Sequence, residues 1–245
     1  MNLALFSPDE ISHPLPRSDR RARHVLDVLH GTVGTQFDVG LVNGPRGKAT
    51  VQSIDAEAIS LAFEWTVPPP AADPITLLIG LSRPQTARDI LREATTLGVS
   101  AIHFVATEKT EPGYAHSTLW RDGEWQRHVL AGAEQAFSTQ VPTVTADSKL
   151  AAALTTLPPE VLRLALDNYE ATAPLAGYAG WRDASPATPV VLAFGPERGW
   201  SPRDRQELKT ADFPFVHLGS RVYRLETAVI AALTLVKSAR GTWSA

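Results

Sequence analysis

Residues 75–105 read ITLLIGLSRPQTARDILREATTLGVSAIHFV. The first seven, 75–81, form an apolar run of strand length, interrupted only by Thr76 and Gly80. Pro84 then opens a stretch in which Ala87, Ile90, Leu91, Ala94 and Leu97 recur at helical spacing, Gly98 stops it, and 101–105 are again strand-like. This is a β-α-β unit. Downstream the alternation continues with a helix near 124–137, a short strand near 141, a helix near 148–157, and strands at 161–166 and 190–194. Two further helices, 202–210 and 227–240, flank a strand at 215–218. The expectation is an α/β fold: a mostly parallel sheet with helices on both faces.

Upstream the pattern is different. Residues 35–42, 47–54 and 58–65 are short alternating runs separated by glycine, with Asn43-Gly44-Pro45 as a turn, and they predict a small β-barrel. Between the two regions lies Val67-Pro68-Pro69-Pro70-Ala71-Ala72-Asp73-Pro74, whose prolines lack the N–H that a ladder or helix requires. The expected domains are therefore a barrel at 1–68, a proline-rich linker at 69–74 and an α/β domain at 75–245.

Composition narrows the chemistry. The 245 residues are 44% hydrophobic and 20% charged, as in ordinary globular proteins, and they include no cysteine. Disulfides, thiolate metal sites and cysteine nucleophiles are excluded at once. The first residues, MNLALFSPDE, have neither a basic start nor a long apolar core, and nowhere is there a run of roughly 18 to 20 apolar residues, so no membrane anchor and a cytoplasmic location are expected. The net charge of −3 is not that of a nucleic-acid coat, so any RNA contact must be local.

Ligands of open parallel sheets bind beyond the carboxyl ends of the strands. Two loops stand out there. The first, Gly195-Pro196-Glu197-Arg198-Gly199-Trp200, runs into Ser201-Pro202-Arg203-Asp204, which has the form of a capping box with Pro202 at the first helical position. Alone it reads as a strand-to-helix turn, and its glycines permit close approach to a ligand. The second, Leu218-Gly219-Ser220-Arg221-Val222-Tyr223-Arg224-Leu225-Glu226-Thr227, leads into an apolar helix, and Glu226 there suits a helix N-terminus.

Other motifs fall away. Val42 to Ala49 imitates a P-loop but lacks the first glycine and the final Ser or Thr, and a hairpin turn accounts for it. Seven histidines form no HExxH, so no metal is expected, and neither GxSxG nor GxGxxG is present. Between Arg17 and His24 four arginines stand against one aspartate, either as a solvated face or as a phosphate-contacting patch.

Taken together, FGPERGWS (194–201) and LGSRVYRLETAVIAAL (218–233) resemble the paired C-terminal signatures of the RsmE type of SPOUT RNA methyltransferases, close to GPEGG-(F/L)-S and LG-x-R-(I/V)-L-R-x-ETA. The resemblance extends back to Glu134-Gln135 with Val141-Pro142, to Leu97-Gly98-Val99 and to Arg23-His24-Val25-Leu26, and so covers nearly the whole chain. It implies a PUA-like N-terminal β-barrel, a C-terminal SPOUT domain with a deep trefoil knot, a homodimer, and S-adenosylmethionine as cofactor. The reaction implied is methylation of uridine N3 in 16S ribosomal RNA, free or in the small subunit. By the same resemblance the cofactor would be held by Phe194, Gly195, Pro196, Glu197, Gly199, Leu218, Gly219, Val222 and Tyr223. Arg224, then Arg221, would stabilise the uracil anion, because an arginine stays protonated and is a poor base. Glu226 would hold Arg224 in place. The family's use of its N-terminal domain makes Arg17, Arg20, Arg21, Arg23 and His24 the expected RNA contacts, together with Arg83.

Several polar positions depart from the family pattern. Arg198 stands where a glycine is usual, Ser138 where an arginine is usual, Glu93 and Thr96 where lysine and glutamate are usual, and Lys109 replaces an arginine. These departures leave two alternatives, a SPOUT enzyme with another RNA target and a silent RNA-binding protein whose cofactor loop Arg198 crowds.

Overall fold

The computed structural model describes residues 3–243. They divide into two compact units, one formed by the chain up to Ala71 together with Leu130–Val141, the other by Ala72–Val129 and the chain from Pro142 onward.

In the first unit, β1 (Ala4–Phe6), β2 (Leu15–Pro16), β3 (Gln36–Leu41), β4 (Arg46–Ile54) and β5 (Ala58–Val67) form a sheet in the order β1-β3-β4-β5-β2. Only the β1–β3 pair is parallel. Along β4 the buried residues Gly47, Ala49 and Val51 alternate with more exposed ones, the two-residue period of a sheet with one covered face. Phe6, Phe37, Val39, Val51 and Ile59 supply the core. A helical turn, α1 (Arg20–Arg23), is capped by Asp19, which accepts from Arg21 N at 2.7 Å. The second segment of this unit differs from the expected continuous domain after residue 75. Ala133 packs with Leu3 and Leu5, and Thr139 Oγ1 donates to Gly44 O at 2.7 Å.

The second unit holds a seven-stranded sheet in which every ladder is parallel. Its strands are β6 (Asp73–Gly80), β7 (Val99–Ala106), β8 (Thr143–Lys149), β9 (Leu162–Leu166), β10 (Ala173–Pro174), β11 (Val190–Phe194) and β12 (Phe215–His217), in the order β10-β12-β9-β11-β6-β7-β8. Every residue of the central β11 is buried, as expected where both sheet faces are covered. The helices between the strands are α2 (Pro84–Thr96), α3 (Thr118–Arg121), α4 (Trp125–Gln135), of which the part from Leu130 belongs to the first unit, α5 (Leu150–Thr155), α6 (Pro202–Thr210) and α7 (Leu225–Ala239). The strand expected near 141 is β8, which starts two residues later, and β6 already begins within the expected linker at Asp73.

From β6 the chain steps to β7 and β8 on one side, then crosses to the other side for β9, β10, β11 and β12. The reversal makes the β6/β11 boundary a topological switch point, the place where parallel sheets open a crevice. Helix α7 packs beside α2, and its end is fastened by buried charge. Lys237 Nζ donates to Asp73 Oδ2 at 2.8 Å and Arg240 Nη1 to Asp73 Oδ1 at 2.6 Å. Burying these ions is tolerable because each is paired and hydrogen-bonded.

Candidate active site

Strand β11 ends in Phe194, and the chain turns at once through Gly195–Trp200. A Cβ on Gly195 would lie 2.9 Å from Trp200 N and 3.0 Å from Gly199 C, so this turn closes only on glycine. Gly199 carries the turn's left-handed backbone, φ 67°. Arg198 is exposed, has no left-handed backbone and lines the cleft that this turn borders. The helix that follows starts with the expected capping box: Ser201 Oγ accepts from Asp204 N at 3.0 Å and Asp204 Oδ2 from Ser201 N at 2.9 Å.

Neighbouring elements pin this turn on all sides. Lys109 Nζ donates to Arg198 O at 3.2 Å and to Trp200 O at 3.0 Å. The buried Trp200 indole donates to Leu166 O at 3.0 Å, and Glu197 Oε1 accepts from Arg83 N at 3.0 Å. Leu166 opens a third loop, Leu166–Tyr169, which sequence reasoning passed over. There Asp167 Oδ1 accepts from Tyr169 N and Glu170 N, both at 2.7 Å, and its Oδ2 accepts from Arg205 Nε on α6 at 2.8 Å. The carboxyl-end rule applied to β9 would have found it, but the loop has no glycine to draw notice.

The second predicted loop is held far less. Gly219 N donates to His217 Nδ1 at 3.0 Å, and Gly219 to Arg224 are all exposed, Val222 at 80%. Arg224 is the extended N-cap residue of α7, and Glu226 sits in the first turn.

These loops enclose a cleft of about 650 Å³ at the switch point. Of the expected cofactor residues, Phe194, Gly195, Pro196, Glu197, Gly199, Leu218, Val222 and Tyr223 line it; Gly219 does not. Arg224, Glu226 and Arg83 line it as well, whereas Arg221 does not. Leu166, Asp167, Asn168 and Tyr169 complete the wall with Thr86, Arg198, Trp200, Leu225 and Ala228. The expected pairing of Glu226 with Arg224 is absent: among the described residues no carboxylate lies within ion-pair distance of Arg224. The reason is positional, since Arg224 leaves the chain before the helix starts and Glu226 is set at the positive end of the helix dipole. At the mouth, the hydrogen bond to the Tyr114 phenol raises the pKa of Arg83 above that of an ordinary guanidinium.

In the other unit the basic stretch is divided. Arg21 is buried: its guanidinium donates to Leu5 O at 2.7 Å, is forked with Glu10 and Asp19, and lies over the Phe6 ring. It is a strut and is withdrawn from the expected RNA contacts, because leaving those carboxylates would cost its paired, desolvated charge. Arg20 forks onto Glu134 at 2.8 and 2.5 Å yet stays half exposed, while Arg17 and Arg23 face solvent and His24 is half-buried.

Comparison with known proteins agrees with this geometry. Residues 69–237 match the model of the RNA methyltransferase domain family. The chain is 31% identical over 253 aligned positions to the ribosomal RNA small subunit methyltransferase E of Treponema pallidum, covering 99% of this chain and 93% of that protein. It is 25% identical to the ribosomal RNA small subunit methyltransferase E 1 of Borreliella burgdorferi, covering 97% and 98%. Among solved structures, the Neisseria gonorrhoeae ribosomal RNA small subunit methyltransferase E bound to S-adenosyl methionine superposes with a TM-score of 0.76 at 26% identity, covering 97% of both chains. A glycine-walled cleft at the switch point of a parallel sheet, a family model over most of the chain and near full-length relatives all agree, and the chain belongs to the ribosomal RNA small subunit methyltransferase E family of RNA methyltransferases.

Proposed function

We propose that this S-adenosylmethionine-dependent ribosomal RNA methyltransferase acts on N3 of a uridine in the 16S RNA of the small ribosomal subunit, in the cytoplasm and as a homodimer. The observation that carries the reading is the single cleft that brings Gly195–Gly199, Leu218 and Val222–Arg224 together. Its volume is that of a small-molecule site. The residues present suit the cofactor: glycine backbone that a flat adenine can approach, apolar Leu218, Val222 and Leu225, and the carboxylate of Glu197 near a cationic ligand. When bound, S-adenosylmethionine supplies an electrophilic methyl group.

The chain's own residues supply position and charge. Arg224 stands on the wall with no carboxylate partner among the described residues, so its guanidinium is free to meet the anion that forms as uracil N3 loses its proton. Arg221, off the wall, takes a secondary part on the RNA side, and Glu226 steadies the start of α7. Arg83 lies at the mouth, where an RNA phosphate would pass. In the N-terminal unit, read as PUA-like, Arg17, Arg20, Arg23 and His24 form the phosphate-facing set.

Two structural readings complete the proposal. Strand β11 inserts between β6 and β9, both earlier in the chain, and α7 returns to pack on α2. This arrangement supports a chain end threaded through a trefoil knot. Val222 and Tyr223 on the cleft wall and Ile230 on α7 are large apolar side chains left exposed at 80, 41 and 37%, which supports a symmetric partner there.

The test combines calorimetric titration of S-adenosylmethionine with transfer of a labelled methyl group to small-subunit RNA, the site being located by reverse-transcription stops at a blocked pairing edge. Binding with transfer to one uridine is expected. Binding with transfer only to another RNA points to a different target, and absence of binding would overturn the enzyme reading.

A further inference from the structure

A second cavity, of about 520 Å³, lies in the same α/β unit and is lined in part by the segment that follows β7. That segment, residues 107–121, connects it to the cofactor cleft. Lys109 holds the carbonyls of Arg198 and Trp200, Tyr114 lies in the middle of the segment, and His116, Trp120 and Arg121 line the second cavity. Trp125 and the edge strand β8, through Thr145 and Asp147, form its other walls. We infer that this cavity binds an unpaired, amino-bearing nucleobase of the substrate RNA, next to the target nucleotide, by stacking on its tryptophans and pairing with Asp147. The inference rests on the RNA methyltransferase reading and adds a substrate subsite to it.

The chemistry favours a base over other occupants. Two indoles and an imidazole offer flat apolar faces, and stacking on such faces is how proteins hold single-stranded bases. Asp147 is exposed and without an ion-pair partner among the described residues, so its carboxylate presents acceptors only, matching the amino edge of guanine, cytosine or adenine. Trp120 Nε1 is buried without a hydrogen-bond partner in the same wall, a donor that a small shift would offer to a ligand. The walls are also preformed. Trp120 packs on Phe104 with ring centroids 4.9 Å apart, and Glu124, immediately before Trp125, accepts from Arg88 Nε at 3.0 Å and from Thr118 Oγ1 at 3.1 Å. A base splayed out for methylation needs its neighbours held, and a rigid aromatic slot on the same segment whose Lys109 pins the cofactor-cleft turn does that.

The test is steady-state methylation of small-subunit RNA by the full-length wild type and by Trp125→Ala, Trp125→Phe and Asp147→Ala, with thermal melting and S-adenosylmethionine titration of each. Trp125→Ala should raise the KM for RNA about tenfold, with kcat at saturating RNA and cofactor affinity kept, and Trp125→Phe should recover much of the loss. Asp147→Ala should raise the same KM severalfold and alter the preference for the adjacent base. If Trp125→Ala fails to fold, the exposed Asp147 decides alone. An unchanged KM in folded variants of an active enzyme would overturn the subsite. So would a KM raised on intact small subunits but not on free RNA, which would place a ribosomal protein in the cavity. A wild type that methylates no ribosomal RNA would instead overturn the function on which the subsite rests.

Discussion

Two loops wall the same cleft and are built in opposite ways. The Gly195–Trp200 turn is tied by Lys109, by the Arg83 backbone, by the Trp200 indole and by a capping box. The Gly219–Arg224 loop is held only at its ends, where Gly219 N donates to His217 Nδ1 and Arg224 O accepts from Ala228 N, and it exposes its side chains, apolar ones included. One wall is therefore preformed and the other adaptable; in the function proposed above, the first would set the cofactor's place and the second would be ordered by cofactor, RNA and a partner subunit. Preorganisation belongs where a ligand must fit before reaction, and adaptable segments where several binders meet.

The largest expected effect falls on the loose wall. Arg224→Ala should lower single-turnover methylation by roughly a hundredfold to thousandfold, about 2.7 to 4 kcal/mol, with cofactor affinity little changed, since its charge acts on an anion present only during reaction. Arg224→Lys should recover part of it. Cofactor affinity falling in step with the rate, measured by calorimetry on the same preparations, would make Arg224 a strut and erase the contrast.

Glycine substitution sharpens the comparison. Gly195→Ala drives a Cβ into backbone at 2.9 to 3.0 Å, so overpacking of about 1 to 3 kcal/mol should appear as roughly tenfold to hundredfold weaker cofactor binding. At Gly219 a Cβ meets nothing within 4 Å and faces only the strain of φ 105°, about 1 kcal/mol, so Gly219→Ala should weaken binding by less than tenfold. Equal losses would mean that the two walls are equally rigid.

A smaller effect belongs to Lys109. Lys109→Ala removes a charged donor from two carbonyls of the pinned turn and should reduce stability by about 1.5 kcal/mol while raising the cofactor dissociation constant severalfold. Chemical denaturation with calorimetry checks both. Smallest of all is a difference in hydrogen exchange of the free protein: amides of 195–200 should exchange slowly and those of 219–224 fast, with cofactor slowing the second set much more than the first.

Much of this was legible in the sequence where local signals were strong. Helix α6 begins and ends where Ser201, Pro202 and the change of pattern at Thr210 place it, and β11 matches its expected bounds because its apolar run lies between Pro189 and Gly195. Strands of two or three residues, β1, β2 and β10, have no period to detect. The polar edge strand β8, Thr-Val-Thr-Ala-Asp-Ser-Lys, was misplaced because its burial is slight. Charge counting could not distinguish Arg21 from Arg23, since Glu10 and Asp19 reach Arg21 only in the fold. Nor could a continuous helical pattern over Trp125–Gln135 reveal that its later part packs with Leu3 and Leu5. In the cleft, the glycine loops declared themselves and Leu166–Tyr169, with no glycine, did not.

Methyl transfer to a single uridine N3 can be read from a mass-spectrometric map of modified nucleosides in small-subunit RNA from cells with and without this gene. The account predicts that one 3-methyluridine disappears with the gene and returns when it is restored, but not when Arg224→Ala is supplied. An unchanged ribosomal RNA map, or loss of a modification from another base or another RNA, would contradict it.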